Sequence, residues 1–147
     1  EVIAAHFTRS PYMIDGADSE LLAGEMISMA SIRENVIGFV VRGDSEYWIR
    51  HVSLWTGRVL HDAVLPGVRE PLTLLGQGRL LFGTAEGLAL RSAEGAESII
   101  DLGGAAISLE PMSPDWVRIK LENRAGHFAV AIAGEQLGSY RLLEGPK

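Results

Sequence analysis

The segment 51–62 holds the residue types of a hydrolytic or metal-binding site: His51, Ser53, His61 and Asp62. Gly57 lies near the middle of this segment and predicts a hairpin that places His51 opposite His61. Ser53 then lies on the strand that faces His61. Ser, His and Asp are the members of a catalytic triad. Neighbours in a strand point to opposite faces, so Asp62 would not orient the ring of His61. We therefore expect no triad here.

Two histidines on facing strands could instead hold a metal ion, although histidines without a ligand are the commoner arrangement of such a pair. The carboxylates of Asp15, Asp18 and Glu20 could bind calcium, but they lack the spacing of an EF-hand loop, and Gly16 favours a solvated turn. Neither group carries a full set of ligands. The sequence predicts no metal site.

Other catalytic signatures are missing from the sequence. It has no Gly-x-Ser-x-Gly elbow, and Gly76-Gln77-Gly78 continues into Arg79 without the remaining glycine of a dinucleotide-binding loop. We predict no catalytic residue and no cofactor.

The tryptophans are candidates for a protein contact, because aromatic side chains dominate interface hot spots. Trp55 is expected in the core and Trp116 over a sheet end. If Trp55 points inward from its strand, alternation sends Trp48 to the opposite face. Trp48 is therefore the predicted binding residue, and burial between two sheets is its alternative.

Composition limits the classes of partner. The chain has 147 residues, 19 acidic against 13 basic side chains and a net charge of -6, so it lacks the basic surface that nucleic acids require. It contains no cysteine and therefore no disulfide framework or thiolate nucleophile. No apolar run approaches the roughly 20 residues of a membrane span. We expect one soluble domain over residues 1–147; the compartment is left open, with the cytoplasm slightly favoured.

A weak internal repeat organises the chain. Short apolar stretches end at Gly24, Gly67, Gly104 and Gly145, and a second turn signal recurs at Gly57, Gly95 and Gly134. The repeat units are 25–67, 68–104 and 105–145, with 1–24 as a partial unit. Each full unit reads as four short strands, most clearly where apolar and charged residues alternate along 117–122. A helix over 20–35 is the alternative reading of the first strand.

The segment 52–60, with Trp55 before Thr56-Gly57, resembles the third strand, turn and fourth strand of a WD40-like or quinoprotein-like β-propeller blade. Four-stranded units of about 40 residues are also typical of propeller blades. The other two units keep the turn and lack the tryptophan. The resemblance implies an all-β chain of about 3.5 propeller blades, each of four antiparallel strands. A β-sandwich or a barrel is the alternative fold.

A partial propeller has consequences for assembly, because closed propellers hold typically four to eight blades. About 3.5 blades would leave sheet faces open, so the sequence predicts a protein partner, either the remaining blades of a longer parent protein or a second chain. Residues 1–24 and 105–145 are the expected contact surfaces. We expect a non-catalytic protein-interaction module. The alternative is part of a propeller enzyme, a hydrolase, lyase or quinoprotein dehydrogenase, with active residues partly outside this chain.

Overall fold

A computed structural model describes residues 25–143. These residues form β-strands with one short 3₁₀ turn at Gly76–Gly78. The strands are β1 (Glu25–Arg33), β2 (Val36–Arg42), β3 (Tyr47–Ser53), β4 (Val59–Leu65), β5 (Leu72–Leu74), β6 (Leu80–Gly83), β7 (Gly87–Arg91), β8 (Glu97–Asp101), β9 (Ala106–Ser113), β10 (Trp116–Leu121), β11 (His127–Ala133) and β12 (Gln136–Leu143).

The strands form three four-stranded sheets, each in simple chain order: β1-β2-β3-β4, β5-β6-β7-β8 and β9-β10-β11-β12. The registered neighbours pair antiparallel. This confirms the all-β fold and its four-stranded antiparallel sheets. The helical alternative is wrong for 25–33, which is β1, and the described strands do not close into a barrel. The predicted partial unit 1–24 lies outside the described residues.

The alternation along β10 and β11 produces the expected inward face. Val117, Ile119 and Leu121 are buried, as are Leu80 and Phe82 on β6. Alternation predicts that Arg118 and Lys120 are exposed, but both side chains are half-buried. Arg118 lies along the sheet to reach Glu110 on β9, at 2.6 Å, and Lys120 Nζ donates to the carbonyl groups of Leu121 and Arg124. Their stems therefore cover the sheet while their charges find local partners.

The glycines predicted as hairpin markers lie between the third and fourth strands of their sheets. Gly57, Gly95 and Gly134 have φ values of 74°, 98° and 63°. Side chains disfavour this left-handed conformation, so glycine is the residue that fits. The recurring turn signal in the sequence therefore reflects a recurring backbone geometry.

The described residues belong to two compact units. The first extends to Gly67 and includes Leu74–Gly78; the second holds Val68–Thr73 and the chain from Arg79 onward. In the first unit Phe39, Val41 and Val52 form a buried cluster. Four partly buried apolar side chains pack on it: Met26, Met29, Ile37 and Val59. The single β domain over 1–147 stays a prediction.

The second unit contains two consecutive sheets in contact. Strand β12 contacts β7 and β8, and β9 contacts β6. The Leu137 N–H donates to Ser98 Oγ at 2.9 Å, and Arg79 Nη1 donates to the carbonyl of Gly134 at 2.7 Å. One of these bonds joins the two fourth strands, and the other joins the residue before β6 to the turn between β11 and β12. Across residues 25–143, no helix has the length and apolar character to cross a membrane.

Candidate functional site

The turn between β3 and β4 is organised by Ser53. Its Oγ accepts hydrogen bonds from the N–H groups of Trp55 and Thr56, at 3.1 and 3.2 Å, and its carbonyl accepts from Gly57 at 2.9 Å. The Ser53 N–H donates to the carbonyl of Arg58, also at 2.9 Å. A serine oxygen that bonds to nearby backbone N–H groups is a common way to fix a turn.

The remaining N–H groups of this turn are also bonded. Leu54 donates to the carbonyl of Asn35 at 2.8 Å, which ties the turn to the one between β1 and β2. Arg58 donates to Thr56 Oγ1 at 3.2 Å. Every backbone N–H from 53 to 58 therefore has an acceptor, and the turn has a defined shape before any partner binds.

Trp55 projects from this turn and is 79% exposed, and the adjacent Leu54 is 37% exposed. The expectation that Trp55 lies in the core is wrong. Strand β3 ends at Ser53, so strand alternation does not extend to residue 55. The turn fixes the direction of this side chain, and it points into solvent.

Trp48 lies on β3 and is half-buried. The guanidinium carbon of Arg50 stands 5.5 Å from the centre of its ring, within the range of a cation–π contact. Trp48 is expected on the face opposite an inward-facing Trp55, but Trp55 does not face inward. The role of Trp48 in binding stays a prediction.

Arg50 and Asp62 form an ion pair between β3 and β4, which sequence reasoning missed. Arg50 is only 7% exposed, and its Nε lies 2.6 Å from Asp62 Oδ1. The two residues are direct partners in the strand register. Arg50 Nη1 is buried without a hydrogen-bond partner. A buried guanidinium is costly unless it is paired, so Asp62 has a structural role here.

His51 and His61 are brought together as the hairpin predicts. They are register partners, and their ring centres lie 5.0 Å apart at an angle of 45°. His61 is exposed and His51 half-buried. Burial of the ring lowers the pKa of His51, and the positive charges of His61 and Arg33 lower it further. At neutral pH the His51 ring is therefore uncharged.

The residue types of a triad do not assemble into one. Asp62 pairs with Arg50. Ser53 Oγ is occupied by the turn N–H groups. Among residues 25–143 no three His, Cys, Asp or Glu side chains lie close enough together to hold a metal ion. The possible calcium ligands at 15–20 lie outside the described residues.

In the second unit, Trp116 lines a shallow cavity of about 220 Å³. The cavity is also lined by Ala129 and Ala131 on β11 and by Tyr140 and Arg141 on β12. Trp116 is half-buried, and its position over a sheet end stays a prediction.

A sequence signal for the tryptophan-bearing turn exists in the repeat. Ser92 stands at the start of the corresponding turn of the second sheet, where its N–H bonds to Ala96 and its carbonyl accepts from Gly95. Its Oγ accepts from Ala96 at 3.1 Å. A serine three or four residues before a turn glycine therefore marks two of the three turns. Comparison of the chain with protein-family models, characterised proteins and solved structures returned no match.

Proposed function

We propose that this chain is a non-catalytic protein-interaction module built from β-propeller blades, with Trp55 as its principal contact. The observation that carries the proposal is the exposure of Trp55 on a turn whose backbone N–H groups are all bonded. Trp48, on the strand that leads into this turn, is the second contact.

The blade arrangement is supported by the sheets themselves. All three follow one strand order, and in the second unit consecutive sheets touch through β12 with β7 and β8 and through β9 with β6. Propeller blades are four-stranded meanders that pack on their neighbours in this way. Turns between strands lie on the top and bottom faces of such an assembly, where they are open to other proteins.

Energetics favour Trp55 as the contact. A tryptophan in water exposes a large apolar area, and its burial by a partner supplies binding free energy. Ordering a flexible loop on binding costs free energy, and the bonded turn has already been ordered by folding. The corresponding turn of the second sheet carries Glu94, also exposed, so the tryptophan is particular to one turn.

The partner is a protein: either the remaining blades of a parent protein or a second chain. Replacing Trp55 by the photoreactive amino acid benzoylphenylalanine, in cells that produce the protein, tests this contact. Irradiation should give a discrete protein adduct that is absent when the probe replaces Glu94 in the corresponding turn. Equal adducts at both positions, or none at position 55, would contradict the proposal.

A further inference from the structure

The histidine pair lies in a positive environment. His51 on β3 and His61 on β4 are 5.0 Å apart between ring centres, and the charge of Arg33, at the end of β1, acts on His51. Among the described residues, Arg33 has no ion pair or side-chain hydrogen bond. Three groups that can carry positive charge thus lie together in a chain whose net charge is -6.

Among residues 25–143, no carboxylate forms an ion pair with Arg33, His51 or His61, and Glu34, next to Arg33 in the chain, is exposed. Asp62, the nearest carboxylate along β4, bonds to Arg50, and its neighbouring position in the strand directs it to the other face. Strand β2 places Gly38 opposite His51 in the register. The segment Leu74–Gly78, which packs on β1, contains no titratable side chain. Among the described residues, the charges that act on His51 are therefore those of Arg33 and His61.

From this arrangement we propose that Arg33, His51 and His61 form a binding site for a dianionic oxyanion, such as a phosphate group. Arginine supplies a fixed charge and a fork of N–H donors that matches a phosphate. Each imidazolium supplies N–H donors. The same arginine repels a divalent cation, which argues against a metal ion between the rings. The site does not depend on the protein-interaction role proposed above.

Protons and anion should bind together at this site. A bound dianion stabilises the charged form of the His51 ring and so raises the pKa that burial and the neighbouring positive charges lower. Affinity therefore increases as the pH falls from about 8 to about 6, where histidines take up protons. Sulfate is the probe that isolates this effect, because its own charge is constant over that range.

The test is a sulfate titration of the full chain followed through the histidine ring signals by nuclear magnetic resonance. We expect the His51 and His61 signals to move, with an affinity about tenfold higher near pH 6 than near pH 8, which corresponds to one unit of pKa shift. Arg33→Gln should abolish the movement, whereas Arg141→Gln, an exposed arginine of the second unit, should leave it unchanged. His127 serves as the internal control ring.

Phenyl phosphate distinguishes two sources of the anion. Binding as strong as that of sulfate or stronger indicates a phosphoryl group carried on a larger molecule, and weaker binding indicates free phosphate; either result supports the site. The assignment is overturned if sulfate moves neither ring, or if Arg33→Gln leaves the titration unaltered. Preferential binding of Zn²⁺ between the rings would also overturn it.

Discussion

Ser53 holds Trp55 in solvent: the Ser53 hydroxyl oxygen accepts the Trp55 N–H at 3.1 Å. The same oxygen accepts the N–H of Thr56, so one side chain satisfies two donors of a turn that carries an exposed tryptophan. The geometry of the proposed contact therefore depends on a residue that is itself buried.

Replacing Ser53 by alanine should destabilise the chain by about 1 kcal/mol, the usual cost of removing a side chain that caps backbone N–H groups. Urea unfolding measures this loss. Ser92→Ala should cost less, because Ser92 Oγ accepts one N–H group rather than two. Ser45→Ala, in an exposed turn, is the control and should have no effect. An equal loss for all three variants would show that Ser53 does not organise its turn.

Asp62→Ala should destabilise the chain by about 3 kcal/mol, because it leaves the buried guanidinium of Arg50 without its ionic partner. The matched control is Glu110→Ala, which removes the partner of the more exposed Arg118 and should cost less than about 1 kcal/mol. Both values come from chemical denaturation. Similar losses for the two variants would contradict the structural role of the Arg50 pair.

The lowered pKa of His51 makes stability depend on pH. Below the ordinary histidine pKa of 6.5, the unfolded chain binds a proton at this ring more readily than the folded chain, so stability falls as the pH drops through that range. His51→Gln should remove this part of the dependence. Unfolding free energies near pH 7.5 and pH 5.5 measure it, in low-salt buffer without sulfate or phosphate. His127→Gln is the control, and an identical loss for wild type and His51→Gln would contradict the assignment.

The assembly prediction concerns the last sheet, which exposes four large apolar side chains: Ile107, Met112, Tyr140 and Leu142. A contiguous exposed apolar patch commonly marks an interface, and 105–145 is the predicted contact surface. We expect light scattering of the purified chain to give a mass above the 15.9 kDa of one copy. The double variant Tyr140→Ser, Leu142→Ser should lower that mass. A folded wild-type monomer would contradict the interpretation as a partial propeller with uncovered sheet faces. It would favour a self-contained domain.

Most strands could be predicted from the sequence because their patterns are local. Alternation along 117–122 predicted a strand, and the structure has β10 at Trp116–Leu121. Turn glycines separated the hairpins, since positive φ requires them. In these segments the residue pattern along the chain is enough to identify the strand or the turn.

The candidate site was less predictable, because it depends on where a strand ends. Trp55 lies two residues beyond Ser53, and a strand continued to Trp55 would have turned it inward. The strand ends where Ser53 forms hydrogen bonds to the turn, and the pattern of apolar residues gives no sign of these bonds. The register that places His51 opposite His61 also aligns Arg50 with Asp62, but the burial of Arg50, which makes this ion pair structural, depends on tertiary packing that the local pattern does not show.

The most direct test of the interaction role is competition for the adduct formed at position 55. Excess purified wild-type chain, added to extract before irradiation, should suppress the adduct, because its own Trp55 turn occupies the partner. The Trp55→Ala chain should suppress it at least about tenfold less well, since loss of a tryptophan hot spot costs about 2 kcal/mol or more. If both chains compete equally, the partner does not recognise Trp55 and the central claim is wrong.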